Sequence, residues 1–384
     1  MRILLAAASS SSELSGVQRH AFNVVRCLLS NPEISMVKLV IAPWQQELFW
    51  RSGLLPNKRL SLHLADMKTD ALHRNLWYYR ELPEIARQLR VDVAHLTYPV
   101  PLNSRAFNCP TVVTLHDLYP YEIPANFGFP KVIFNRLILQ QCLSGVDAIA
   151  CVSDITRLLL NKYVSLDIQQ KTVRIYNSVE PQTECATRTP IHDWRGEPFF
   201  LCVAQHRQNK NLPFLLRVMC HFLQFEESDA STKLVIVGIP GPETDSIRRT
   251  ITRLGLNRNV QLMEGLPEEE LQWCYRNCEA VLAPSKTEGF GLPVTEALLA
   301  GSRVICSDIP AFREIGGDLC HYVRLDRQAE RVFAEEIRAA LQKPCIGAVE
   351  LPMLSTAVIA EQYTRLYRKL LGSRQRAPEL VPSV

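Results

Sequence analysis

The sequence predicts an α/β protein made of two doubly wound parallel-sheet units. Three observations carry that expectation. Short apolar runs alternate with longer amphipathic stretches almost throughout the 384 residues, the pattern of parallel strands joined by helices. There are about a dozen such runs, too many for one sheet of usual size and suited to two sheets of about six. Near 180–197 the periodicity lapses into a polar, proline-containing stretch, Glu180-Pro-Gln-Thr-Glu-Cys-Ala-Thr-Arg-Thr-Pro190, and a strand restarts at Phe199.

In chain order, strands are expected at 2–7, 37–42, 60–64, 92–97, 111–116, 147–152 and 173–176. After the linker they are expected at 199–204, 233–238, 259–263, 279–283 and 302–306. Each is a brief apolar run bounded by polar or turn residues. Helices are expected at 16–30, 76–89, 130–143, 153–163, 211–226, 243–255, 267–277, 293–300, 327–342 and 356–371. Ser153 is a good N-cap for the fourth. Pro293 suits the first position of the eighth, since its fixed φ is helical, and Gly301 suits its stop. Two facing units of this kind bind ligands at the carboxyl ends of their strands, so the cleft between them is the natural site. The stretch 374–384, with two prolines, reads as a loose terminus.

Composition narrows the function. The chain is 47% hydrophobic and 21% charged, which is globular rather than disordered. A net charge of +4 is too mild for a nucleic-acid binder, and it suits anionic substrates or an anionic membrane surface. The twelve cysteines are scattered, with no Cys-x-x-Cys pair. Cys274 and Cys278 are four apart on an expected helix without a histidine pair to complete a zinc site. They read as buried thiols in a reducing cytosol. The apolar start, 1–8, is too short for a secretory signal, and no run approaches the eighteen or so residues of a membrane span. A cytoplasmic protein, soluble or peripheral, is expected.

The most informative stretch is 284–301, Pro-Ser-Lys-Thr-Glu-Gly-Phe-Gly-Leu-Pro-Val-Thr-Glu-Ala-Leu-Leu-Ala-Gly. It follows a buried strand and implies a glycine loop leading into a short helix. Glu288 falls in the loop and Glu296 about one turn into the helix. Unpaired amides at a helix start are ready for an anion, and a glycine loop lets a ligand touch backbone. Amides for phosphate beside two carboxylates for hydroxyl groups suit a nucleotide sugar.

These residues, with Ser307-Asp-Ile-Pro310 and Glu314-Ile-Gly-Gly317, resemble the signature of the family 4 retaining glycosyltransferases of GT-B fold. Weaker matches cover nearly the whole chain. The resemblance implies an acceptor domain at 1–182, joined by a returning helix at about 358–384, and a donor domain at 195–357. It implies that Glu296 accepts from the ribose hydroxyls and that Glu288 faces the transferred sugar. Backbone at Gly289, Phe290 and Gly291 would meet the sugar, and that at Leu292 and beyond the phosphates. Lys210, in Val203-Ala-Gln-His-Arg-Gln-Asn-Lys-Asn-Leu212, falls on the lysine that neutralises the leaving diphosphate. The family's arginine position is Gln205 and its preceding glycine is Ala204, with Arg207 nearby as a substitute cation. His116, at the end of the strand 111–116, matches a histidine near the transferred sugar. Gly16, in Ser15-Gly16, matches a glycine loop near donor and acceptor, and Gly238 ends a strand where nucleotide approaches. Arg19 and His20, on the helix that follows, read as surface residues, with reach to the acceptor as the alternative.

The family implies positioning and electrostatic catalysis without a covalent intermediate. No Asp-x-Asp metal pair is apparent, so metal independence is expected, with no cofactor beyond the co-substrate. The expected activity is transfer of a mannosyl- or glucosyl-type hexose from a nucleotide-diphospho-sugar to a glycan or lipid-linked glycan, in cell-surface polysaccharide synthesis. A sugar-phosphate acceptor and a non-catalytic sugar-nucleotide scaffold are the alternatives, the latter motivated by Ala204 and Gln205. The helix near 129–142 carries Lys131 and Arg136 and fits either a membrane surface or, as the preferred reading, packing against the sheet.

Overall fold

The structure, a computed structural model, describes residues 1–12, 15–54, 56–182, 184–226 and 228–376; of the segment 374–384, residues 377–384 lie outside it. The chain divides into two compact units. The first holds 1–118, 129–178 and the C-terminal segment from 352; the second holds 119–128 and 179–351.

The first unit is a seven-stranded sheet: β1 (Arg2–Ala6), β2 (Met36–Ile41), β3 (Leu60–Leu64), β4 (Val93–Leu96), β5 (Thr111–Leu115), β6 (Ala148–Cys151) and β7 (Thr172–Arg174). Its order is β3-β2-β1-β4-β5-β6-β7, with every pairing parallel. Central strands such as β5 and β6 are buried along their whole length, as parallel strands covered on both faces must be. Helix Gly16–Ser30 crosses from β1 to β2 and buries His20, Ala21, Val24, Val25 and Leu28, a spacing of three and four that forms one face. The last helix, Thr356–Arg376, packs on it and belongs to this unit.

The second unit is a six-stranded parallel sheet: β8 (Phe199–Val203), β9 (Lys233–Val237), β10 (Val260–Met263), β11 (Ala280–Ala283), β12 (Val304–Ser307) and β13 (His321–Val323). Its order is β10-β9-β8-β11-β12-β13. Alternate residues of β8 enter separate cores. Phe200 and Cys202 join one with helix Leu212–Phe222, and Phe199 and Leu201 join the other with Trp273 and Phe312.

Both sheets reverse winding direction at one point, between β1 and β4 and between β8 and β11. Loops leaving those strands line the crevice where doubly wound sheets take ligands. All twelve expected strands are present. The unpredicted thirteenth, β13, has three residues at a sheet edge, too few to show a period. Helix Pro310–Gly316 and the helices Gln46–Arg51, Tyr119–Glu122 and Leu166–Gln169 were missed for the same reason. Helix Ala71–Gln88 starts five residues earlier than 76, because the Asp70 side chain accepts from the His73 amide at 3.0 Å and caps it.

Candidate active site

The loops after β8 and β11 meet at the switch point of the second unit. The β8 loop turns through Gln208–Lys210 and reaches Asn211 in the left-handed region, φ 57°. Asparagine tolerates that region, and its Nδ2 donates to the Pro284 carbonyl at 3.2 Å. The Lys286 amide donates to the Asn209 carbonyl at 2.8 Å. These bonds tie the two loops together and bring Lys210 to Glu288.

Glu288 is 9% exposed and holds three donors. Lys210 Nζ lies 2.5 Å from Oε1, and Ser285 Oγ donates to the same oxygen at 2.7 Å. The Tyr119 hydroxyl donates to Oε2 at 3.1 Å. A carboxylate oxygen has two lone pairs, so Oε2 retains acceptor capacity for a ligand hydroxyl. A buried carboxylate needs such pairing, because the uncompensated charge is costly away from water. The sequence named Glu288 and Lys210 separately; the structure joins them. Ser285 and Tyr119 were not singled out. Ser285 stood in the quoted stretch, whereas Tyr119 is 169 residues from Glu288 and gave no signal.

Gly289 and Phe290 are buried, and Gly291 has φ 103°, which a side chain rarely adopts. Helix Leu292–Ala300 begins there, one residue before Pro293, so the proline takes the second helical position rather than the first. Val294 and Thr295 amides turn back to the Gly291 carbonyl. Pro293 has no N–H, which leaves Leu292 as the first-turn amide aimed past the helix end. Glu296 is half-buried, and its Oε2 accepts from the Tyr275 hydroxyl at 2.8 Å. Gly301, φ 85°, ends the helix.

Arg207 precedes the Gln208–Lys210 turn, half-buried, and forms no ion pair among the described residues. Gly238 owes its identity to packing. A Cβ there would stand 1.8 Å from the Ala204 carbonyl oxygen. His206, next along, is buried; its Nδ1 is 2.9 Å from Thr244 Oγ1.

In the first unit, His116 directly follows β5. Its Nε2 lies 2.8 Å from the Thr97 carbonyl and therefore carries the proton, leaving Nδ1 as an acceptor. Burial pushes its pKa down to about 4, so the ring is neutral near pH 7. His20 is not a surface residue: it is 2% exposed, in an edge-to-face contact with His116. It belongs to a buried chain. His20 Nδ1 donates to Asn177 Oδ1 at 2.7 Å, and Thr114 Oγ1 donates to His20 Nε2 at 3.2 Å. His95 Nε2 then donates to Thr114 at 2.9 Å, and the Tyr367 hydroxyl donates to His95 Nδ1 at 2.7 Å. Arg19 is half-buried. Gly16 is the exposed first residue of its helix, and the Ser15 amide donates to Gln18 Oε1 at 2.6 Å. The structure places Gly16 and His116 in one unit and the remaining predicted site residues in the other.

Helix Lys131–Gly145 departs from the preferred reading of sheet packing. Only Leu139, Cys142 and Leu143 are buried, all toward its end. Phe129 is 84% exposed, Phe134 61% and Leu137 61%, with Ile133 on the same side. Eight of the cysteines are buried, and burial raises the thiols of Cys142, Cys151 and Cys202 to about 12, keeping them protonated. Among the described residues no three His, Cys, Asp or Glu converge on a metal position. No described helix is long and apolar enough to cross a membrane.

Known proteins agree with this architecture. A family model described as "Glycosyltransferase Family 4" matches residues 14–183, and one described as "Glycosyl transferases group 1" matches 189–352. The O-antigen chain mannosyltransferase RfbU of Salmonella typhimurium is 27% identical over 269 residues, covering 67% of this chain and 69% of that one. The O-antigen chain mannosyltransferase B of Escherichia coli is 23% identical over 339 residues, covering 83% and 85%. Among solved structures, HepE of Anabaena in complex with UDP and glucose aligns with a TM-score of 0.65 at 14% identity, covering 96% and 100%. WaaG, a glycosyltransferase involved in lipopolysaccharide biosynthesis, aligns at 0.66 and 15%, covering 97% and 98%. The two models between them span nearly the whole chain, and this chain belongs to the family 4, group 1 glycosyltransferases of GT-B fold. It is an enzyme that transfers a hexose from a nucleotide sugar.

Proposed function

We propose that the enzyme is a retaining transferase that moves a mannosyl group from a nucleotide-diphospho-mannose to a hydroxyl of a glycan growing on a lipid carrier, in cell-surface polysaccharide synthesis. Two relatives named as O-antigen mannosyltransferases support the sugar and the setting. A third, 30% identical over 112 residues, is named GDP-mannose:cellobiosyl-diphosphopolyprenol alpha-mannosyltransferase and supports the donor and the lipid-linked acceptor. The observation that carries the reading is Glu288. It is a buried carboxylate pinned through Oε1 by Lys210 and Ser285, at a glycine loop, with acceptor capacity left on Oε2.

In this reading Glu288 holds a hydroxyl of the transferred sugar and offsets positive charge developing at its reacting carbon. Glu296, braced by Tyr275, takes the ribose hydroxyls. Backbone at Gly289, Phe290 and Gly291 contacts the sugar. Lys210, Arg207 and the amide end of helix Leu292–Ala300 stabilise the diphosphate as its bond breaks. No metal is required, because these groups already supply the positive potential. Gly238 lets the β9 loop pass close to the Ala204 carbonyl and so keeps the turn that carries Arg207 and Lys210 in place. The enzyme works at the cytoplasmic face of the membrane, touching it through helix Lys131–Gly145.

A thermal-shift panel of nucleotide sugars identifies the donor, since a ligand bound to the native state raises its stability. GDP-mannose is expected to give the largest shift. Glu296→Ala is expected to weaken donor binding about tenfold, and Lys210→Ala to lower kcat about a hundredfold with a smaller change in KM. Unchanged kinetics in both variants would overturn the site.

A further inference from the structure

Lys210 and Ser285 both bind Oε1 of Glu288. They fix one oxygen but leave the plane of the carboxylate free to turn, because the last torsion of a glutamate is broad. The second oxygen is held by Tyr119, at 3.1 Å. Tyr119 opens the segment Tyr119–Gly128, which leaves β5 in the first unit yet is part of the second. Its hydroxyl has one proton and a carboxylate can only accept, so that proton points at Glu288. The atom of Asn209 that faces the hydroxyl must then be the amide nitrogen, and Nδ2 stands 3.1 Å away. Asn209 is fully buried, and its Oδ1 accepts from Asn126 Nδ2 at 3.3 Å. Each donor in the row Asn126, Asn209, Tyr119 polarises the next toward Glu288.

We infer that Tyr119, oriented by Asn209, is a positioning residue that sets the plane of the Glu288 carboxylate and so aims the acceptor lone pair of Oε2 at the transferred sugar. The inference rests on the role proposed above for Glu288. It predicts a defect in turnover rather than in donor affinity, since the ribose and phosphate contacts are untouched.

The test is a mutant cycle of Tyr119→Phe and Glu288→Gln on the full chain. The readout is GDP release from GDP-mannose, or UDP release from UDP-glucose where that donor gives the larger thermal shift. Tyr119→Phe is expected to lower kcat about tenfold with donor KM changed less than about twofold. In the Glu288→Gln background it is expected to cost nothing further, because the plane it sets no longer matters. An equal loss in both backgrounds, or kcat unchanged while Glu288→Gln is crippled, overturns the role of Tyr119 and leaves that of Glu288 standing. Normal kinetics for Glu288→Gln, or turnover of neither donor by the unmodified enzyme, overturns both. Should Tyr119→Phe fail to fold, Asn209→Ala runs the same cycle with the same expected outcomes.

Discussion

Gly238 sits where no other residue fits. A Cβ would lie 1.8 Å from the Ala204 carbonyl oxygen, inside any non-bonded contact. Gly238→Ala must therefore push the β9 loop away from the β8 loop, at a cost of about 1–3 kcal/mol, and move the turn that carries Arg207 and Lys210. We expect a melting temperature several degrees lower and weaker donor binding, read by calorimetry and donor titration. An unchanged melting temperature would show that the two loops part without strain. Other single residues were legible to different degrees. Glu288 and Glu296 announced themselves through glycine and proline spacing. The pairing of Glu288 with Lys210 did not, because 78 residues separate them and only the parallel crossover brings them together. His20 reads as a surface residue in the sequence, although its spacing with Val24 and Leu28 puts it on the buried face of its helix.

At the scale of elements, helix Lys131–Gly145 raises the sharpest expectation. Its polar and apolar residues are both spread around the helix axis, so sequence periodicity does not single out the face that meets the sheet. In the structure its first two turns leave Ile133, Phe134 and Leu137 in the open. From 123 to 146 there is no acidic residue, while Lys131 and Arg136 are present. This composition favours an anionic lipid surface. We expect co-sedimentation with vesicles containing phosphatidylglycerol, lost in Phe134→Glu and Leu137→Glu with no change in melting temperature. Equal binding by these variants would rule the helix out as the contact. The repeating strand–helix units were readable because each carries a hydrophobic period of its own. Short elements such as β13 and helix Pro310–Gly316 exist only through neighbours already in place.

At the scale of the whole molecule, stability carries a pH signature. Burial lowers the pKa of His95 to about 3 and that of His116 to about 4, and it holds His20 well below the ordinary value of 6.5. These groups are neutral when folded and bind protons more readily when unfolded. Their contribution is full above about pH 6.5 and is lost as pH falls toward about 4. Unfolding midpoints in urea should therefore decline between pH 7.5 and pH 5, and His95→Gln should flatten the decline. A flat profile for the unmodified enzyme would show that the unfolded state keeps these rings equally deprotonated.

The path of the chain bears on how such enzymes can exchange parts. The polypeptide passes between units after 118, 128, 178 and 351. Joining the front of one relative to the back of another at a single junction in the 180–197 linker does not exchange either unit whole. It takes Glu288 from one parent and Tyr119 from the other, and it gives the first sheet a foreign Tyr367 against His95. A graft intended to change the donor sugar needs two further pieces to travel by origin. Segment 119–128 must follow the second unit, and the helix Thr356–Arg376 must stay with the first.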